Sequence, residues 1–353
     1  MSRDAGEAEP DGFAGAPHPR ENFAFFGHGE GEAAFLDGLR DGRLHHAWLI
    51  GGPQGIGKAT LAYRVARALL DPVKSHDRSI QTLDCSPDSR VGRQVAVLSH
   101  PNLAVLRRAP ATDKKAATTT IPVEAVRKAL SMFGSTAADG GYRVCIVDSA
   151  EDLTVASANA LLKVVEEPPP RSIFLIVSHA PQRVLPTIRS RCRRLLLRPL
   201  GAADIAASID AIGPPWTDVP AAVMNEAMQL GEGSVRRTLD LMDADKVAFI
   251  GQVQGILDRL PGSDPKQVLA LSESLARRDA QDNYELALDT VERWVSRRLQ
   301  EGASLGAARL APLVEVCDKI ARKAREIDVY NLDRRPLILG LFDDLADAVR
   351  RTA

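Results

Sequence analysis

The segment HAWLIGGPQGIGKATLAYRVARALL, residues 46 to 70, constrains the fold more than any other stretch. HAWLIGG (46–52) predicts a short buried strand. It feeds Gly52-Pro53-Gln54-Gly55-Ile56-Gly57-Lys58, and apolar residues then recur at Leu61, Ala62, Val65, Ala66, Leu69 and Leu70, the spacing of a helix with one buried face. Strand, glycine loop and helix in that order are the setting in which G-x-x-x-x-G-K acts as a phosphate loop. Gly52, Gly55 and Gly57 let backbone N–H groups wrap a phosphate chain, Lys58 reaches its outer end, and the helix start adds positive potential. The next position, Ser or Thr in the full pattern, is Ala59. The hydroxyl that helps hold magnesium is missing, and Thr60, turned about 100° away on a helix, replaces it poorly.

Further apolar strands follow. NLAVLRR (102–108) reads as one, Val144 to Val147 as another ending at Asp148, then SIFLIVSHA and finally RRLLLRPL (193–200). Helices fall between them. IPVEAVRKALSMF (121–133) carries Pro122 in its first turn, and VASANALLKVVEEPPP is stopped by Pro168. This alternation predicts a parallel sheet covered on both faces. Beyond Leu200 strand signals vanish and the chain reads as helical, with breaks near GPPW (213–216) and PGSDP (261–265). The expected layout is a disordered tail over residues 1–20, rich in Gly, Ala, Pro and acid; an α/β domain over 21–200; a small helical unit over 201–246; and a second over 247–353.

A net charge of −1 leaves any nucleic-acid contact to local basic patches. No apolar run has the roughly 18 to 20 residues of a membrane helix, and no export signal is present, so a cytoplasmic location is expected. Cys85, Cys145, Cys192 and Cys317 form no C-x-x-C pair, which argues against a zinc site, and Cys145 reads as a small core residue.

Asp148, at a strand end, stands where a magnesium-side carboxylate belongs; the lesser alternative is that it caps the next helix. Ser149 follows and cannot serve as a carboxylate base. Glu151, three places on, is discounted as lying beyond the strand. RSRC carries Arg189 and Arg191, and GEGSVRRTLDL carries Arg236 and Arg237. Taken alone, each pair reads as a solvated basic face.

Together the motifs are more specific. GHGE, GPQGIGKA, HPNL, IPVEAVRKAL, YRVCIVDSAEDL, ANALLKVVEEPPP, PTIRSRC and GSVRRTLDL, spread from about Phe26 to Leu241, resemble the AAA+ clamp-loader family of bacterial DNA polymerase III, with its gamma/tau and delta-prime members. The resemblance implies a P-loop AAA+ domain, a helical lid, and a C-terminal collar through which five subunits form a ring. It further implies that Gly27 and His28 lie near the adenine and that Gly52 to Thr60, with Ala59 in the hydroxyl position, cradle phosphates. Asp148 would stand on the magnesium side, Ser178 would sense the terminal phosphate, and Arg236 would contact nucleotide within the chain. Arg191 corresponds to the arginine finger inserted into a neighbour's site. ATP is the implied cofactor, with magnesium weak or absent and no zinc. The implied partners are gamma/tau and delta subunits, the sliding clamp and primer-template DNA, with no membrane. Residues near Arg127 and Lys128 would track DNA phosphates, or merely solvate a helix face.

Two departures bear on chemistry. Ala59 replaces Ser or Thr, and Asp148-Ser149 replaces Asp-Glu; both strike hydrolysis while Arg191 is intact. That combination resembles the delta-prime members. The alternatives are an active gamma/tau-like or Holliday-junction-type motor, and a structural subunit that binds no nucleotide. Any polymerase chemistry would belong to the holoenzyme.

Overall fold

The computed structural model describes residue 9 and residues 12–110, 118–134, 141–277, 280–302, 304, 306–330 and 333–352. The chain divides into two compact units at Asp240/Leu241. The expected α/β domain and residues 201–240 of the expected lid fall within one unit, and the second begins at Leu241, before the expected position 247.

In the first unit, helix α1 (Gly29–Arg40) precedes strand β1 (Ala47–Gly51), α2 (Lys58–Leu70), α3 (Arg90–Ala96) and β2 (Leu103–Arg107). Helix α4 (Val123–Leu130), β3 (Arg143–Asp148), α5 (Val155–Glu166) and β4 (Ser172–Ser178) follow. The short α6 (Pro186–Arg189) and β5 (Arg193–Leu196) complete the sheet, and α7 (Ala202–Ile212), α8 (Ala221–Leu230) and α9 (Val235–Asp240) complete the unit. The strands form one parallel sheet in the order β2-β3-β4-β1-β5. The inner strands β1, β3 and β4 are buried along their whole length, as parallel strands covered on both faces must be. At the edges, β2 alternates and β5 is largely exposed.

Several boundaries differ from the sequence reading. The last strand stops at Leu196, after which Leu197 N–H adds one bond to Gly51 O and the chain turns toward Gly233. Pro122 precedes α4 instead of lying inside it. Helix α5 starts where expected because the Thr154 hydroxyl accepts from Ser157 N–H, an N-cap of about 1 kcal/mol. Cys145 is in the core, where burial pushes its thiol up to about 12.

Helix α2 shows the largest difference in packing. Every residue except Ala59 and Thr60 is buried, so the one-sided helix expected from spacing is enclosed all round. Its apparent polar face is covered through two arginines. Arg64 pairs with Glu32 of α1 and with Asp84. Arg67 donates to Arg20 O at 3.1 Å and Asn22 O at 3.0 Å, and stacks 4.3 Å from the Phe23 ring centroid. The guanidinium hydrogen bonds that bury these charges also fix the segment preceding α1.

That segment is itself ordered. Glu9 and residues 12–20, expected within a disordered tail, have a defined path, and His18 is buried. Residues 1–8, 10 and 11 lie outside the described residues.

The second unit is helical: α10 (Ala244–Leu257), α11 (Pro265–Leu275), α12 (Gln281–Glu301), α13 (Ala307–Tyr330) and α14 (Arg335–Thr352). Its core gathers Leu257, Leu271, Trp294, Leu313 and Leu341 from all five helices. Trp294 donates its indole N–H to Asp258 at 2.9 Å, which satisfies the polar end of a buried ring. No described helix is long and apolar enough to cross a membrane.

Candidate nucleotide site

Ligand sites of open parallel sheets lie outside the carboxyl ends of the strands, where the strand order reverses. Here β1 sits between β4 and β5, and the register sets Gly51 beside Ser178 and Arg107 beside Asp148. The loops leaving these strands open on a cavity of about 300 Å³. It is lined by the loop residues Gly55, Gly57, Lys58, Ala59 and Thr60, and by Asp148 and Arg236. Most of the predicted cradle is therefore gathered in one place.

The loop turns through glycines that need positive φ: Gly55 at 77° and Gly57 at 97°. Gly55 also marks a close approach. A Cβ there would lie 2.6 Å from Arg236 Cβ and would overlap the Ser234 hydroxyl. Gly55 O accepts from Val235 N–H at 3.0 Å, so the phosphate loop is seated on the first turn of α9. Lys58, starting α2, donates to Gly52 O at 2.6 Å and to Pro53 O. Burial pushes its ammonium down to about 8, against the opposing pull of Asp148 and Glu151.

Glu151 corrects the sequence reading. A 3-10 turn over Ala150–Asp152 folds it back from the end of β3 into the cavity wall. Its carboxylate accepts from Ala180 N–H at 2.7 Å and from the Ser178 hydroxyl. Burial works against the charge, yet these two donors hold Glu151 below its ordinary range. Ser178 is itself fully buried, and His179, not Ser178, lines the cavity. Enclosure, followed by the charge of Lys58, pushes His179 down to about 4. Burial likewise raises Asp152, against Arg108.

His28 stands apart from the cavity. Its Nε2 lies 2.7 Å from Ile56 O and braces the loop from behind. Phe25 and Phe26, just before Gly27, line the cavity instead. Sequence reasoning also missed Arg108, the residue after β2, and Phe13, a lone aromatic in a Gly- and Pro-rich stretch. Strand-end position was the available signal for Arg108; Phe13 offered none.

Arg191 is elsewhere. It follows α6, is about two-fifths exposed, and bonds Thr187 O at 3.0 Å and Glu166 at 2.7 Å. Arg127 and Lys128 are exposed on α4.

Residues 29–201 match the family model described as DNA polymerase III, delta subunit. The chain is 31% identical over 291 residues to DNA polymerase III subunit delta' of Yersinia pestis, covering 79% of this chain and 78% of that one. The chain belongs to the AAA+ clamp-loader family of DNA polymerase III. It is also similar to the delta' subunit of Pseudomonas aeruginosa, 35% identical over 54% of this chain and 53% of that protein. With the tau subunit of Escherichia coli it shares 30% identity over 82% of this chain and 42% of the longer protein. The chain thus spans about half the length of these two relatives. Within the clamp-loader family, relatives named delta' and tau both align with it.

Proposed function

We propose that this chain is a delta-prime-type clamp-loader subunit: it joins gamma/tau and delta subunits and lends Arg191 to a neighbour's ATP site, while hydrolysing ATP poorly itself. The observation that carries the reading is a separation. Arg191 lies at the surface, two-fifths exposed and paired with Glu166, and is not among the residues lining the chain's own cavity; that cavity is lined by Ala59 and Ser149 where the family's motor members carry a hydroxyl and a carboxylate. Lys58, Arg236 and the glycine loop suit a nucleotide's phosphates, and Phe25 and Phe26 suit its base. For magnesium the fit is weaker. Asp148 stands at the strand end without a hydroxyl at residue 59, and Glu151 is already engaged by Ser178 and Ala180 N–H.

In this reading the chain holds its own nucleotide and turns it over poorly or not at all, and the Arg191 guanidinium neutralises charge on a neighbour's phosphates. A finger supplied in trans contributes roughly 10³ to 10⁵ in rate. Sliding-clamp and primer-template DNA contact, and a cytoplasmic location, follow from membership of such a complex. The test is a reconstituted complex carrying Arg191→Ala. It should assemble normally yet lose most ATP turnover at one site; unchanged turnover would refute the assignment.

One observation favours a gamma/tau-like ATPase instead: Glu151 gives the cavity a second carboxylate. Magnesium-dependent hydrolysis by the isolated chain, abolished by Lys58→Ala, would establish that reading.

A further inference from the structure

The segment before α1 does more than cover α2. Glu9 is fastened to the sheet: its carboxylate takes two guanidinium hydrogens from Arg20, one at 2.8 Å, and another from Arg107 at the end of β2, with His18 Nε2 3.4 Å away. Hydrogen bonding to Arg20 leads the causes that hold this carboxylate far below its ordinary range, so at neutral pH the clasp is charged. Farther along the same segment, Gly12, Phe13, Ala16 and Pro17 all line the cavity.

Two residues, Arg236 and Trp216, hold this segment down. Arg236, the cavity arginine at the start of α9, donates from Nη1 to Gly12 O at 3.1 Å, and its guanidinium carbon lies 5.7 Å from the Phe13 ring centroid. Phe13 also packs at 5.7 Å against Trp216, whose indole N–H donates to Gly15 O at 3.1 Å. An arginine suited to a phosphate is therefore engaged by the chain's own backbone and an aromatic face. With the segment in place, the remaining space is at the lower end of ligand pockets, which run from about 300 to 1,000 Å³.

We infer that residues 12–16 form an internal strap that competes with nucleotide for Arg236, so that nucleotide binding requires the strap to lift. The strap is latched at Glu9 and capped by Phe13 on Trp216. Nucleotide affinity is then reduced by the fraction of molecules in which the strap is closed. This inference rests on the cavity being a nucleotide site and is independent of Arg191.

The test uses the full chain. A fluorescent ATP analogue is titrated onto the wild type, Phe13→Ala and Glu9→Gln, none of which alters the phosphate loop. Both variants should bind about tenfold more tightly or better. A second measurement needs no variant: saturating ATP should accelerate tryptic cleavage at Arg20, whose side chain is 12% exposed and clasped by the Glu9 latch. Weaker binding by Phe13→Ala would make the segment a wall of the site and overturn the competition. Equal, measurable binding by all three chains, or cleavage indifferent to ATP, would overturn the strap while leaving the nucleotide site standing. No binding by any chain would overturn both.

Discussion

Arg191 Nη2 lies 2.7 Å from Glu166 Oε1, tying the loop after α6 to the last residue of α5. Both partners are about two-fifths exposed, so water screens the pair and its net contribution is at most about 1 kcal/mol. Arg191→Ala should therefore change the unfolding free energy in urea by no more than about 1 kcal/mol. A loss of several kcal/mol would mean that the residue holds the fold together, and any loss of turnover in a complex would lose its meaning as a finger effect.

Gly55 couples the phosphate loop to α9 through geometry no other residue tolerates. Its φ is 77°, and a methyl group would press on Arg236 and Ser234. Gly55→Ala should cost about 1–3 kcal/mol, combining left-handed strain with displacement of the α9 start. Urea unfolding measures this. Nucleotide affinity should fall in parallel, because Arg236 moves with the helix start.

Much of this architecture was legible in the sequence because the signals were local. Strand, glycine loop and helix are contiguous, and each inner strand is an apolar run of four or more residues. What stayed hidden was set by contacts distant in sequence. Arg64 and Arg67 look like the wet face of α2 until Glu32, Asp84 and the carbonyls of Arg20 and Asn22 close over them. Glu151 looks too far past β3 to matter, because spacing along an extended chain cannot foresee a 3-10 turn that folds it against β4. The placement of Glu9 and of residues 12–20 was invisible for a related reason. A Gly- and Pro-rich stretch of low hydrophobicity reads as unable to order itself, yet its ordering contacts are made by Arg107, Trp216 and Arg236.

Ala59 and Ser149 make separable predictions. Both residues line the cavity, at the start of α2 and just past β3. Ala59→Ser alone should make nucleotide affinity magnesium-dependent without raising turnover, since no carboxylate stands at residue 149. Adding Ser149→Glu should bring measurable hydrolysis, with gains from general-base chemistry of about 10² or more. Single-turnover assays on both variants decide the point. Turnover by Ala59→Ser alone would identify Glu151 as the working carboxylate.

Lys58 makes phosphate binding depend on pH in a direction that can be worked out. The buried ammonium has a pKa of about 8 in the free chain, with burial as the leading cause. A polyphosphate against Nζ favours the charged form, so the pKa rises in the complex. Below pH 8 both states carry the proton and the attraction is complete. Above pH 8 the free chain gives up its proton while the complex retains it, so binding takes up a proton and weakens as pH climbs. At pH 9, one unit above the free pKa, affinity should be roughly tenfold lower than at pH 7.5. Folding has its own dependence on the same group. The unfolded lysine titrates at its ordinary value of 10.5, so the Lys58 contribution to stability is complete above that and is lost as pH falls to 8. Titrations of a fluorescent nucleotide from pH 7.5 to 9.5 test the binding limb, and Lys58→Arg, which keeps its charge throughout, should flatten the profile. An equally steep fall in that variant would assign the pH dependence to another group.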